Sequence, residues 1–565
     1  MHRFFIQINL ISRPFGVENR TTYQNVVVEN LNLANDQQMK ENHWKRLVTF
    51  RNAYLLILFA MLVSLPLSKY VASASQILLA ALWLAEGNFG QKWKAFRSRP
   101  EIWVFLLLYL IHLVGMLWTT DLSFGMHDLK IKLPLMFLPI VLGTIPPLSS
   151  KELKILLGGF TGAVVLGTFF SLSIMLGFGP SDYTSDRETS LFISHIRFAL
   201  MIDISIFILF HYLSNRPFTK SLPSSFLLLT SSLYLITFLF LLKSLTGLVV
   251  LILGGMILSV RWAMKQKDLM VKWFVVVGVA TLPVLIGFYL TDQISRFYTL
   301  KDDLEHLDQT TVQGNLYWHD PGNQMIENGW RVGLYQCDKE LREAWNQRSR
   351  MSFDGLDKKN QELKYTLIRY MTSLGLRKDA HGVSQLTDQD ISLIEKGFAN
   401  SLYREPKRLR VRIYETIWEI DQYHKGANPS GHSLTQRLEY LKTGLAIYRD
   451  HKLFGTGTGD TRISFDRKYD ELQSPLTAEW RLRAHNQFLS FMIAFGWIGF
   501  LLIMFSVIAP PVIAKRSGNF FVLMFFITAL LSFLNEDTLE TQAGVAFFAV
   551  FYTLFVFGTE NSRKE

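Results

Sequence analysis

Apolar residues in this chain are gathered into about twelve blocks, most of them long enough to cross the ~30 Å hydrocarbon core of a bilayer, and that constrains the fold more than any motif does. The blocks are 53–71, 72–86, 102–118, 132–148, 154–176, 191–212, 225–242, 245–260, 273–291, 487–511, 519–535 and 543–558. The second is short and the fourth is broken by proline. Hydrophobic residues make up 49% of the 565 and 44 of them are Phe, which exceeds what one soluble core absorbs. In lipid every backbone polar group needs an internal partner, so blocks of this length specify helices. The expected fold class is an all-α polytopic membrane protein with about twelve transmembrane helices.

Lysine and arginine in the short loops set the orientation. With a cytoplasmic N-terminus, the inside loops hold Lys92, Lys94, Arg97 and Arg99, then Lys151 and Lys154, Arg216 and Lys220, Arg261, Lys265, Lys267 and Lys272, Lys515 and Arg516, and finally Arg563 and Lys564. Opposite loops 119–129, 177–190 and 535–542 are poor in these residues and carry acids. The expected division is a cytoplasmic segment 1–51, spans one to nine over 52–291, an external loop domain 292–486, spans ten to twelve over 487–558 and a cytoplasmic tail 559–565. Residues 1–38 contain no sustained apolar run, so no cleavable signal peptide is expected there and the segment is expected to be disordered or non-native.

The net charge of +11 then follows from topology rather than from nucleic-acid binding, since no basic stripe with interleaved aromatics occurs. Cys337 is the single cysteine and forms no intrachain disulfide. Neither a zinc-ligand cluster nor an EF-hand pattern is evident, so no metal or other cofactor is expected.

Helical patterns at 363–373 and 388–403, with Trp345, Trp418 and Trp480, predict that the external loop is a compact, mainly helical domain. Ser433 and Gln436 have capping-box spacing, and Leu434, Leu438, Leu441, Leu445 and Tyr448 recur as one apolar stripe. An amphipathic helix is expected there, with Arg437 in its first turn. It ends before Gly455, Gly457 and Gly459, a run that matches neither a dinucleotide nor a P-loop fingerprint. Two readings stand for this run: a tight structural turn, or backbone amides that help hold a phosphate.

Arg437 and the three glycines, followed by His485, Asn486 and Leu489 and by Gly496 and Gly499 inside a span, resemble the O-antigen ligase and polymerase superfamily of bacterial envelope glycosyltransferases. Stretches 363–377 and 481–489 look most like Bacteroidota O-antigen ligases. The resemblance implies a GT-C-like architecture with the large loop in the periplasm between spans nine and ten. It implies transfer of a glycan from undecaprenyl diphosphate to lipid A-core or another glycan acceptor, with inversion and without metal, in the bacterial inner membrane. The family's loop arginine and histidine carry over to Arg437 and His485. Where the family often has Ser-Arg near the end of its seventh span, this chain has Lys243 and Ser244.

The chemistry has its own logic. A lipid diphosphate is a good leaving group, so such an enzyme needs cations on the diphosphate and a base at the acceptor hydroxyl. His485 suits the base, with a reference pKa of about 6.5, and Arg437 suits bidentate contact with phosphate oxygens. Lys130 and Lys132 begin the fourth span at its outer end, His195 and Arg197 lie one or two turns inside the sixth, Lys243 caps the seventh, and Arg481 and Arg483 flank His485. All are expected at one leaflet as substrate-binding cations. For each there is a plainer role: snorkelling for the lysines, headgroup contact for Arg481 and Arg483, and pairing with an internal acid for His195 and Arg197. Glu536 and Glu540 are candidates for acceptor hydroxyls, or belong to an ordinary solvated turn. Trp318, Trp330 and Trp480 stack on sugars or fill the domain core.

Three alternatives remain open. A polymerase shares the donor and differs in its acceptor. A transporter or flippase predicts charges spread through the bilayer and an internal repeat of spans, neither of which is visible. A surface receptor needs neither the many spans nor the intramembrane cations.

Overall fold

The computed structural model describes residues 49–178, 192–215, 222–405 and 409–560. The expectations for residues 1–38, for Arg216 and Lys220, for most of loop 177–190 and for Arg563 and Lys564 fall outside the described residues.

The chain divides into two compact units. The first holds α1 (Thr49–Ser64), α2 (Lys69–Glu86), α3 (Phe89–Arg97), α4 (Pro100–Val114), α5 (Leu122–Thr144), α6 (Ser150–Met175), α7 (His195–Ser214), α8 (Leu222–Leu241) and the start of α9 (Leu245–Lys265). The second runs from Leu253 and contains α10 (Leu269–Tyr298), a two-stranded hairpin of β1 (Ile326–Glu327) and β2 (Trp330–Arg331), α11 (Asp338–Arg348), α12 (Leu363–Ser373), α13 (Ala380–Ser384), α14 (Asp388–Glu395), α15 (Leu409–His424), most of α16 (Ser433–Asp450) and nearly all of α17 (Thr461–Glu471). It ends at His485. The first unit resumes with α18 (Gln487–Ile513), α19 (Phe520–Asn535) and α20 (Gln542–Val556), and also takes residues 448–462.

Among the described residues each predicted apolar block falls mainly on helix. Among the described residues six helices are long and apolar enough to span a membrane, or seven if the pair α2 and α3, bent by 112°, is one span. Four more, including α1, α19 and α20, are apolar but shorter. The first two blocks are divided differently from the sequence reading, because Pro66 and Ser68 end one helix and start the next. Ser68 caps α2 by accepting from Val71 N. The fourth block is an unbroken helix: α5 carries Pro134 and Pro139 inside it and begins ten residues before the predicted block, at a cap supplied by Asp121.

In the first unit α4 packs along α18 and α5 along α20, while α7 packs against α8 and α19. The glycine run is a structural insert here. Thr456 N and Gly457 N donate to Ile493 O (2.8 Å) and Ala494 O (2.9 Å), and Trp497 N donates to Lys452 O (2.7 Å). These bonds use carbonyls and an amide freed where α18 breaks at Gly496, whose φ is 63° and ψ −167°. A Cβ on Gly496 would stand 2.2 Å from Leu453 C, and one on Gly455 2.3 Å from Ala494 C, so both glycines are required by backbone-to-backbone approach. Asp460 closes the insert by accepting from Thr120 N (2.9 Å) and Asp121 N (2.8 Å). With those amides already bonded, the structural reading of the run holds.

The second unit has a core of its own, in which Trp345, Phe353, Leu363, Leu367, Tyr370 and Met371 are buried. Of the loop tryptophans, Trp345 is core, whereas Trp318 and Trp480 are exposed. The helix predicted around Arg437 is α16, but its expected stripe is not the buried one. Leu438 and Leu445 are 39% and 43% exposed, and the buried face is Thr435, Gln436, Glu439, Tyr440, Thr443, Gly444 and Ile447. The polar face can turn inward because its buried carboxylate is satisfied: Glu439 accepts from the Tyr423 hydroxyl and from Ser474 Oγ (2.9 Å).

Candidate functional site

The predicted site residues fall into both units. In the second unit Arg437 and His485 flank Tyr440. Tyr440 lies one turn after Arg437 on α16, and its ring stacks on the His485 imidazole with centroids 5.4 Å apart and planes at 29°. Burial raises the Tyr440 pKa and the Arg437 charge opposes that rise, which places the guanidinium within electrostatic reach of the phenol. The Tyr440 hydroxyl therefore stays protonated and donates to Trp480 O at 2.9 Å.

That bond is one of several that pin the strand of chain leading to His485. Tyr469 Oη donates to Leu482 O (2.6 Å), and Arg481 Nη1 donates to Asp470 Oδ1 (2.6 Å). Arg481 thus serves a local ion pair, and Arg483 is half-buried two residues before His485. His485 itself has φ 47°, a left-handed conformation that costs a non-glycine residue about 1 kcal/mol. Strain of this kind persists only where surroundings impose it, and it clusters at functional positions.

In the first unit the cations separate into two kinds. Lys132 is 1% exposed and its Nζ donates to Asp128 Oδ1 (2.5 Å) and Glu540 Oε2 (3.1 Å). Glu540 also accepts from Gln487 Nε2 (3.0 Å), and Gln487 Oε1 accepts from Leu539 N (2.7 Å). This triad ties α5, α18 and the turn before α20 together, and it commits Lys132 and Glu540 to each other. Lys130, two residues earlier, is exposed on another face of α5.

Arg197 is of the other kind. Helix α7 begins at His195, so both residues sit in its first turn rather than one or two turns inside a span; the chain at 192–194 is not helical. Arg197 lines a cavity of about 440 Å³ with Lys69, Ser73, Ser194, Thr541 and Gln542 among its walls. Residues at the N-termini of three helices line it: Lys69 of α2, Ser194 and Arg197 at the start of α7, and Thr541 and Gln542 at the start of α20. Arg197 Nη1 donates to Ser194 Oγ (3.1 Å), while its Nε is buried without a hydrogen-bond partner among the described residues. Glu536 and Asp537 lie within electrostatic range. Asp537 is also engaged by Asn486 N (3.1 Å) and Ser490 Oγ (2.7 Å) at the start of α18.

Positive side chains at positive helix ends repel one another unless an anion lies between them. The cavity is therefore electrostatically suited to an anion of phosphate type, and it introduces Lys69, Ser73 and Gln542, which sequence reasoning missed. Lys243 is exposed at a left-handed break (φ 52°) between α8 and α9 and does not line this cavity.

Fold and site together define a multi-pass α-helical membrane protein with a polar helical domain inserted before its last three apolar helices. The model of a family described as O-Antigen ligase matches residues 397–504. The matched stretch runs from before α15 into α18 and includes Arg437, the glycine insert, His485 and Gly496, but not Arg197 or Lys69. It supports the O-antigen ligase superfamily and, in general terms, glycan transfer of the ligase or polymerase type within a membrane. No curated protein matches the chain.

Proposed function

We propose that this protein transfers an O-antigen-type glycan from undecaprenyl diphosphate to lipid A-core or a related acceptor at the periplasmic face of the bacterial inner membrane. The observation that carries the proposal is the clustering of Arg437 and His485 about Tyr440 inside the stretch that matches the O-Antigen ligase family. Twelve spans, both termini inside and residues 292–486 outside complete the topology, which rests on the loop charges.

The reaction breaks the bond between the glycan's anomeric carbon and the diphosphate and forms one from that carbon to the acceptor oxygen, with inversion and without a metal ion. Arg437 binds the diphosphate oxygens and stabilises the charge left on them, and Arg197 holds a phosphate-type anion in its own cavity. Lys69 and Ser194 line that cavity with it, and His195 opens the helix that carries Arg197. His485 takes the proton of the acceptor hydroxyl. Stacking on Tyr440 and the left-handed backbone fix its ring. Glu536 lies in the field of Arg197 and orients it, whereas Lys132 and Glu540 hold helices in place. Arg481, through Asp470, positions the segment before His485, with Arg483 facing the headgroups. Lys130 and Lys243 make general contacts with the anionic membrane surface.

Reconstitution with a purified lipid-diphosphate glycan tests the reading, with lipid A-core and the donor itself offered as acceptors. Transfer to lipid A-core establishes a ligase, chain growth a polymerase, and neither product refutes the proposal. Arg437→Lys is expected to lose most activity despite its retained charge, because lysine lacks the planar fork. His485→Ala is expected to abolish transfer while donor binding survives. Reporter fusions at about residues 265 and 380 are expected in opposite compartments.

A further inference from the structure

The second unit holds a cavity that the proposed reaction does not use. It measures about 370 Å³ and lies between the C-terminal turn of α10 and the N-terminal half of α15, with Arg296, Lys301, Asn328, Ser373, Arg410 and Tyr414 in its walls. Three of its lining residues are basic and none is acidic. Arg296 is paired to Asp292 (2.8 Å), which does not line the cavity. Lys301 stands over the Trp330 ring at 5.8 Å, and among the described residues neither Lys301 nor Arg410 has an acidic partner. The floor is already ordered: Asn328 Nδ2 donates to Ser373 O (2.8 Å), Ser401 N donates to Ser373 Oγ (2.8 Å), and the Tyr414 hydroxyl donates to the buried Glu327 carboxylate. The N-terminus of the sixteen-residue α15 adds a positive helix end beside Arg410. Two cations without an acidic partner among the described residues, Lys301 and Arg410, around an ordered floor make an anion site of low reorganisation cost.

The occupant follows from α10. This helix is thirty residues long and, of the six long apolar helices among the described residues, is the one with none of its apolar window buried within the chain. Phe288, Leu285, Ile294 and Tyr298 on its C-terminal half are exposed. Such a surface suits lipid chains, and the cavity lies where those chains would end in a head group. The volume equals roughly a dozen waters, enough for a phosphate ester and its glycerol. We propose that this cavity binds the phosphate of an anionic phospholipid, with Lys301, Arg410 and Arg296 as its ligands and the acyl chains along α10.

The full-length protein in zwitterionic nanodiscs would be titrated with short-chain phosphatidylglycerol, phosphatidylcholine and inorganic phosphate, following the thermal unfolding midpoint. Phosphatidylglycerol is expected to raise the midpoint saturably and phosphatidylcholine is not. Removing two charges in Lys301→Gln/Arg410→Gln is expected to weaken phosphatidylglycerol roughly 25-fold, about fivefold per charge. The charge-retaining Lys301→Arg/Arg410→Lys is expected to stay within about threefold of the parent. Equal affinity in the charge-removed variant, or equal effects of the two lipids, overturns the site. Inorganic phosphate saturating it as tightly as phosphatidylglycerol overturns the lipid as occupant. Glycan transfer is not a readout, so this test stands apart from the proposed reaction.

Discussion

Lys132 on α5 and Arg197 on α7 are both cations on apolar helices of the same unit, and their surroundings are opposite. Lys132 is enclosed by Asp128 and Glu540, so its charge is spent on the fold. Arg197 lines a cavity alongside a second cation, with Glu536 and Asp537 in electrostatic range but not among the cavity's lining residues, so part of its charge is left for something that enters. A charge within a membrane protein is therefore not functional by position alone. What separates the two is whether the protein sets carboxylates in direct contact with the cation.

The sharpest way to break this contrast is Lys132→Met. It leaves two carboxylates facing each other in a buried site, and unfolding in detergent is expected to show a loss of about 4 kcal/mol. Unchanged stability would mean that the triad is not structural. Arg197→Gln is expected to do the reverse: transfer falls about 100-fold, equivalent to ~3 kcal/mol in the barrier, while the unfolding transition stays in place. Lys69→Gln should follow it with a smaller loss. Equal destabilisation by Arg197→Gln and Lys132→Met would erase the distinction.

A pair outside the membrane helices extends the comparison. Burial alone would raise the Asp390 pKa, but hydrogen bonds from Arg404, Thr387 and Tyr370 hold it at about 2, below its ordinary 3.8. Since the folded value is the lower one, its stabilisation is complete above about pH 4 and is lost as pH falls towards 2. With Arg404 half-exposed, solvent screening leaves about 1–2 kcal/mol. The acid limb of the stability curve should flatten by that amount in Arg404→Gln. The smallest effect is expected from Tyr440→Phe, which keeps the stack on His485 but loses the bond to Trp480 O, about 1 kcal/mol of stability. Tyr440→Ala removes the stack too, and its activity should fall well below that of Tyr440→Phe if the ring positions His485.

The helical class, the approximate place of most apolar helices and the presence of α16 were legible in the sequence, because hydrophobic block length and periodicity are local properties. Motif spacing singled out Arg437 and His485 as candidates, and the break that places Lys69 at a helix start was present in Pro66 and Ser68. What only the tertiary structure decided is which charges are cancelled and which faces are covered. Lys132 meets Glu540 across 408 residues, and no local pattern carries that pairing. The leucine stripe of α16 faces outward because Glu439 and Tyr440 find partners at Ser474 and Trp480 in a later segment. The glycine run became an insert rather than a phosphate cradle because Gly496, some forty residues on, opens α18 to receive it. Periodicity reports what a segment is able to bury, whereas neutralisation and close backbone approach depend on neighbours brought together by folding.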